Sequence, residues 1–368
     1  IAGITLQVFG LAWQQQDSGV AACATVGVWS MLHSSAFDDT HAVPTTVAIT
    51  EAAHSSISVG QRVYPSKSLT LEQLMGSIAF HGFNPITLTG DMDDGAKNKF
   101  FSVQRFGATC SAFLRSGYPV LIHGIHSGPD VQMAHAVCAV GFREPGQLVV
   151  KADETGIFDA STEIIYIHDD NIGPNVRFKL SPGENGFAKL SHEPPTYVDA
   201  ENQHDLKYPD FYPLTIIAAV HEDVRLSPDN LHVSGGELTN QICSILNAAY
   251  DMSGLERTGL LFSTRFIKLA DFLADELQII LDQNLRILAK VRLALSEKVP
   301  PMSLHLGLIR IALPDDSVLI DILVDTTDTD RNRPVFAHLV YDPKMEEVLL
   351  ELDQGQRTAF LGIAVQAY

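Results

Sequence analysis

Side chains able to run acyl chemistry follow one another along this chain: the amide run Gln14-Gln15-Gln16, a thiol at Cys23, an imidazole at His135, and adjacent carboxylates at Asp169 and Asp170. Nucleophilic attack by sulfur on a carbonyl needs a thiolate, a base within hydrogen-bond reach, a group that orients the base, and donors for the oxyanion. Cys23 follows a polar approach, Gln14 to Gly19, and leads into Ala24-Thr25-Val26-Gly27-Val28-Trp29-Ser30-Met31-Leu32. That run of small and apolar residues lacks strand alternation and reads as a buried helix beginning just after Ser18 or Gly19. A cysteine at a helix start is favoured as the anion by the dipole and the free amides. The plainer alternative is a small packed thiol, since free cysteines are commonly buried.

The other groups sit at strand ends. After Gly117, Pro119 to His123 reads as a strand, and Ala134-His135-Ala136-Val137 opens the next one. Alanine on both sides leaves room around the His135 ring, as a residue that meets substrate requires; an isolated histidine of this kind is otherwise a satisfied core residue. His123 lies inside a strand and His126 in a Gly/Ser/Pro loop. The strand Glu163 to His168 runs into Asp169-Asp170-Asn171-Ile172-Gly173-Pro174. Either carboxylate can accept a hydrogen bond from an imidazole and fix its tautomer. The same residues also suit an ordinary Asx turn.

The elements that must position these groups fall in a segregated order. A strand at 4–9 precedes the polar approach. Helices are expected at 44–54, at 71–81 behind a cap signal at Ser68 to Thr70, and at 108–116, stopped by Gly117. Strands follow at 119–123, 134–142, 148–151 and 163–168. Helices first and then an antiparallel sheet mark an α+β domain rather than alternating βαβ units. Residues 181–210, rich in Pro, Gly, Asn and His, read as a linker or long excursion. The expected organisation is therefore an α+β domain over 1–180, the 181–210 segment, and a mixed α/β or α+β domain over 211–368. In the last, a strand is expected at 214–220, a helix at 236–249 and a long amphipathic helix within 264–295, with Phe266, Leu269, Phe272, Leu273, Leu277 and Ile280 at helical spacing. Strands at 304–313, 318–324, 335–341 and 348–352 complete it.

Bulk properties narrow the choices. At 368 residues and 40.1 kDa the chain is long enough for two domains. A formal charge of −19 repels phosphate backbones and anionic lipid, so neither nucleic acid nor a membrane surface is an expected partner. No apolar run approaches the span of a bilayer. The chain opens at Ile1 rather than Met, and its natural start is expected upstream. Cys23, Cys110, Cys138 and Cys243 have no CxxC spacing, so free thiols in a cytosolic protein are expected, with no metal site. Phosphate-loop, HExxH and GxSxG patterns are missing, and no cofactor is expected. The run Asp325 to Asp330 lacks the glycine and closing glutamate of a calcium loop and reads as an acidic turn.

Taken in order, the glutamine, the cysteine at a helix start, the Gly-x-Pro strand, the strand histidine and the acidic turn resemble the papain-like cysteine peptidase superfamily, especially its bacterial double-glycine-peptidase-like branch. The resemblance covers roughly residues 10–180. It implies a papain-like N-terminal domain with Cys23 as nucleophile, His135 as base and Gln16 as oxyanion donor. It also implies Asp169 as the orienting acid, because Asp169-Asp170-Asn171-Ile172-Gly173 resembles the branch's Asp-Pro-x-x-Gly turn; Asp170 is the alternate. The implied activity is cleavage of a peptide or isopeptide bond in a peptide or protein substrate. Two departures stand: Gln16 lies seven residues before Cys23, one more than the family pattern, and a hairpin over 147–160 is inserted between His135 and the acid. They motivate a catalytically silent binding or scaffold module as the alternative. A transglutaminase-like acyltransferase would use the same groups. A metal hydrolase would draw on His123, His126, His135 and the Asp169/Asp170 pair.

Overall fold

The computed structural model describes residues 10–15, 22–33, 41–55, 69–95, 98–128, 131–143, 150, 154–157, 162–193, 208–253, 259–281, 284–327, 335–354 and 363–368. In chain order the elements are α1 (Cys23–Met31), α2 (Thr46–Ser55), α3 (Leu71–Phe80), β1 (Phe83–Thr89), β2 (Met92–Asp93), β3 (Lys99–Phe100) and α4 (Val103–Arg115). Then come β4 (Val120–Gly128), β5 (Val131–Phe142), β6 (Thr155–Ile157), β7 (Ile164–Asp169), β8 (Gly173–Pro182), β9 (Ala188–His192) and β10 (Asp210–His221). The remainder is α5 (Pro228–Ser253), β11 (Leu260–Lys268), α6 (Leu269–Asp271), α7 (Leu277–Ile280), α8 (Leu285–Lys298), β12 (His305–Ala312), β13 (Val318–Asp325), β14 (Val335–Val340), α9 (Lys344–Gln354) and β15 (Ile363–Gln366). No helix among the described residues is long and apolar enough to cross a membrane.

Both helices and strands contribute heavily, as the α+β expectation requires, but the division of the chain differs from the sequence reading. Two compact units form, one from Ile1–Val103, Gly117–Arg143 and Glu163–Val220, the other from Gln104–Ser116, Glu144–Thr162 and His221–Tyr368. The supposed linker over 181–210 is not one where it is described: residues 181–192 continue β8 and supply β9, inside the first unit. The strand expected at 214–220 to open the C-terminal domain is β10 of the first unit. Conversely, α4 belongs to the second unit, where Arg105 pairs with Asp229. β6, expected within a hairpin between His135 and the acid, pairs parallel to β11. Composition misled here, because Pro and Gly mark tight turns between strands as readily as they mark linkers. The strand expected at 4–9 lies outside the described residues.

In the first unit β10, β4, β5, β7, β8 and β9 pair in that order, and β9 meets β10 through Leu190 and Phe211. The result is a closed six-stranded antiparallel barrel, flanked by β1 on β10. Closure leaves no free edge among those strands. Helix α1 lies against β5 and β4. It is apolar on all sides, the mark of a buried helix. Gly27 allows the close approach: a β-carbon there would collide with Leu121 Cδ1. Val28, Met31, Ile49, Ile78, Leu121 and Ile217 are fully enclosed in the shared core, each worth roughly 1.5–3 kcal/mol of burial. The cap signal before α3 is a full capping box, Thr70 with Gln73.

The second unit is built on a six-stranded sheet, β15-β14-β13-β12-β11-β6, antiparallel at its centre and parallel at both ends. Leu306, Leu308, Leu323 and Leu339 pack against α7 and α8, while Phe262 and Ile309 lie under Gly235 of α5. Helices thus cover both faces. The long helix expected within 264–295 is instead β11, a helical segment with a π-turn over Phe272–Glu276, and α8 behind an Asn284 cap. The alternating Phe262, Thr264, Phe266 are buried as a strand, and their spacing happened to extend the helical series. The apolar run expected as a strand at 348–352 is part of α9, with Met345, Val348 and Leu349 buried at i, i+3 and i+4.

Candidate functional site

The first residue of α1 is Cys23, so the thiol stands at the head of the helix. The first intrahelical bond runs from the Val26 amide to Ala22 O, which leaves the amides of Cys23, Ala24 and Thr25 ahead of the ladder. Cys23 is half-buried, whereas Cys110, Cys138 and Cys243 are buried. Burial pushes the thiols of Cys110 and Cys138 far up, toward the inert neutral form. All four cysteines are free, as expected.

Barrel strand β5 carries His135, whose imidazole interacts with the Cys23 thiol, and β7 ends on Asp169. His135 is 3% exposed. Its Nε2 lies 3.4 Å from Asp169 Oδ1 and 3.3 Å from the Asn171 side-chain amide. The 3.4 Å separation is long for a hydrogen bond, the loose geometry common in resting sites. Burial alone would push the imidazole down, but the Asp169 bond, followed by the bond and charge of Cys23, carries it up to about 10. The Asp169 carboxylate thus favours the imidazolium form of His135.

Asp169 is fully buried and accepts from three directions. Besides His135, the Asn171 amide donates to Oδ1 at 2.8 Å and the Tyr208 hydroxyl to Oδ2 at 3.0 Å. Burial raises its carboxyl, yet these donors together hold it below the usual carboxylate range. The Asx turn and the His partner, weighed as rivals from sequence, are both properties of Asp169. Trp13 covers the turn, its Nε1 donating to Asp169 O at 3.1 Å.

Asp170 differs from its neighbour. Its Oδ1 is also 3.4 Å from His135 Nε2, but out of line for a hydrogen bond. Both its oxygens are buried and lack a hydrogen-bond partner among the described residues. Burial, with the Asp169 charge adding to it, pushes its carboxyl up to about 6. It lines a narrow cleft beside Cys23 with Trp13, Gly27, Ser30, Ala136 and His168. His168 is fixed by Leu11 O at 3.0 Å and the Asn175 amide at 3.1 Å, and so it braces the turn.

The structure thus brings Cys23, His135, Asp169 and Asp170 together. Gln16 lies outside the described residues; Gln14 and Gln15 are exposed. His126, expected in a loop, is on β4 and 2% exposed. The Gly, Ser and Pro around it suggested a break that the barrel strand does not make. Sequence reasoning assigned no role to Asn171, Trp13 or Tyr208. Tyr208 sat unnoticed in the supposed linker, and a tyrosine beside Pro209 gives no signal of the carboxylate it meets.

His126, His135 and Asp169 hold potential metal-ligand atoms within 4.8 Å of one another. Ligand atoms around zinc at 2.0–2.1 Å stand roughly 3.3 Å apart. This looser set is spanned instead by the Tyr208 hydroxyl, 3.3 Å from His126 Nε2 and 3.0 Å from Asp169 Oδ2. The arrangement forms a hydrogen-bonded chain. Neither a scan against protein-family models nor a search of curated proteins finds a match for the chain.

Proposed function

We propose that this protein is a cysteine hydrolase of papain-like type, cleaving a peptide or isopeptide bond. The observation that supports it most is one buried imidazole that interacts with the thiol at a helix head and lies 3.4 Å from a buried, triply hydrogen-bonded carboxylate. Cys23 Sγ attacks the carbonyl carbon as a thiolate, and the electron pair of the C=O bond moves to oxygen. The amides opening α1 are donors for that oxyanion. The His135 imidazolium then gives its proton to the departing amine, leaving a thioester on Cys23. Water, deprotonated by His135, attacks the thioester and releases the acid and the thiol. Asp169 holds the ring so that its other nitrogen faces sulfur, and it stabilises the charged imidazolium.

An amine in place of water would make the same acyl-enzyme a transferase, and product analysis separates the two. The test of the nucleophile is a broad peptide library with a thiol-directed activity probe. Cys23→Ala is expected to abolish probe labelling and turnover while leaving the circular dichroism unchanged, and a chelator is expected to change neither in the parent. Undiminished turnover in Cys23→Ala removes the thiol from the reaction.

A further inference from the structure

Tyr208 Oη lies between two groups that compete for its single proton. Asp169 Oδ2 is 3.0 Å away on one side and His126 Nε2 3.3 Å away on the other. The far side of His126, Nδ1, is 3.3 Å from Pro209 O, which can only accept. Burial, with the nearby His135 charge, pushes the His126 imidazole down to about 4, so it is neutral and owns one N–H. If that proton serves the Pro209 carbonyl, Nε2 is a bare acceptor, and the Tyr208 hydroxyl can turn to His126 or to Asp169. A hydrogen bond to a charged carboxylate is roughly twice as strong as one between neutral groups. Hence the hydroxyl faces Asp169 while His135 is charged, and His126 waits as the alternative acceptor.

We propose that Tyr208 is a positioning residue that shares the Asp169 carboxylate with His135 and so tempers its hold on the imidazolium, and that His126 acts on the site by competing for the Tyr208 proton. The proposal rests on the cysteine-hydrolase reading of the same site and extends it beyond the triad. It also gives the segment once read as a linker a place in the chemistry. Losing the hydroxyl removes one of the three donors on Asp169 and leaves more of the carboxylate's charge to His135, so the imidazolium gives up its proton at higher pH.

The test follows alkylation of Cys23 by iodoacetamide against pH in the full-length chain, with the labelled residue located by mass spectrometry. In the parent, a step in rate is expected near pH 10, where His135 loses its proton. Tyr208→Phe, which deletes one oxygen and keeps the ring, is expected to move that step up by about one unit. A change in overall rate with the step unmoved reduces Tyr208 to a packing role and overturns the proposal. His126→Phe, made with Tyr208 intact, is expected to move the step downward, and to do nothing in the Tyr208→Phe background. A shift by His126→Phe without Tyr208 also overturns the proposal. A parent with no step, or one whose Cys23 reacts at the same rate when His135 is replaced by Ala, points instead to failure of the hydrolase reading.

Discussion

Two buried aspartates, one in each unit, are built alike and put to different ends. Asp169 and Asp321 are both fully buried. Each accepts a tyrosine hydroxyl on Oδ2, from Tyr208 at 3.0 Å and from Tyr341 at 2.9 Å. Each also faces a cation. For Asp321 it is Arg310, bound through two 2.8 Å bonds, with Glu276 3.1 Å from the same guanidinium and Arg265 beyond it. A guanidinium cannot release its proton in a protein, and Asp321 raises that of Arg310 further against its burial. For Asp169 the cation is an imidazolium at 3.4 Å that titrates near 10. The same carboxylate and tyrosine make a fixed joint with one partner and, on the proposed reading, a proton-transfer site with the other. Asp170 marks the contrast: the site tolerates a carboxylate without hydrogen bonds, whereas every charge around Asp321 is matched.

That contrast breaks if the two aspartates respond alike to loss of their roles. The largest effect belongs to Asp169→Asn, expected to lower turnover by roughly 10²- to 10⁴-fold through loss of the ring's orientation, with melting temperature little changed. Its counterpart, Arg310→Leu, leaves Asp321 uncompensated and is expected to destabilise the protein by about 3–5 kcal/mol in urea unfolding, without altering the alkylation rate of Cys23 in folded protein. Swapped outcomes would erase the distinction.

Asp170→Asn gives a smaller effect with a defined pH window. The folded carboxyl titrates near 6 against an ordinary value of 3.8, so folding favours its neutral form. The stability this contributes is complete below pH 3.8 and is lost as pH rises through 6. Relative to the parent, Asp170→Asn is therefore expected to gain about 2–3 kcal/mol between pH 3.8 and pH 7. A difference that does not vary with pH would show that Asp170 is not held neutral by burial.

The site was more legible than the fold around it. Cys23, His135 and Asp169 each carried local signals: a helix start, a histidine between alanines in an apolar strand, and an acidic turn before Gly173. Those signals depend on neighbours in sequence. Tyr208 and His126 meet where β10 pairs with β4, Phe211 opposite His126 and Tyr208 just ahead of the strand, and no local pattern encodes that register. The same limit explains the misplaced domain boundary. Chain segments 104–116 and 144–162 join the second unit, and periodicity reports how a segment is buried, not against what. The broken helix over 264–295 failed for another reason, since buried strand and helix residues share one apolar vocabulary.

The central claim is that Cys23 and His135 form a working ion pair, and the most direct measurement is the pH dependence of Cys23 alkylation with and without the imidazole. The account predicts that Cys23 is the fastest-labelled of the four cysteines in the folded protein. Its rate should step near pH 10, where His135 titrates, and His135→Ala should replace that step with a single rise. A parent whose Cys23 already follows that single rise, unchanged by His135→Ala, would contradict it.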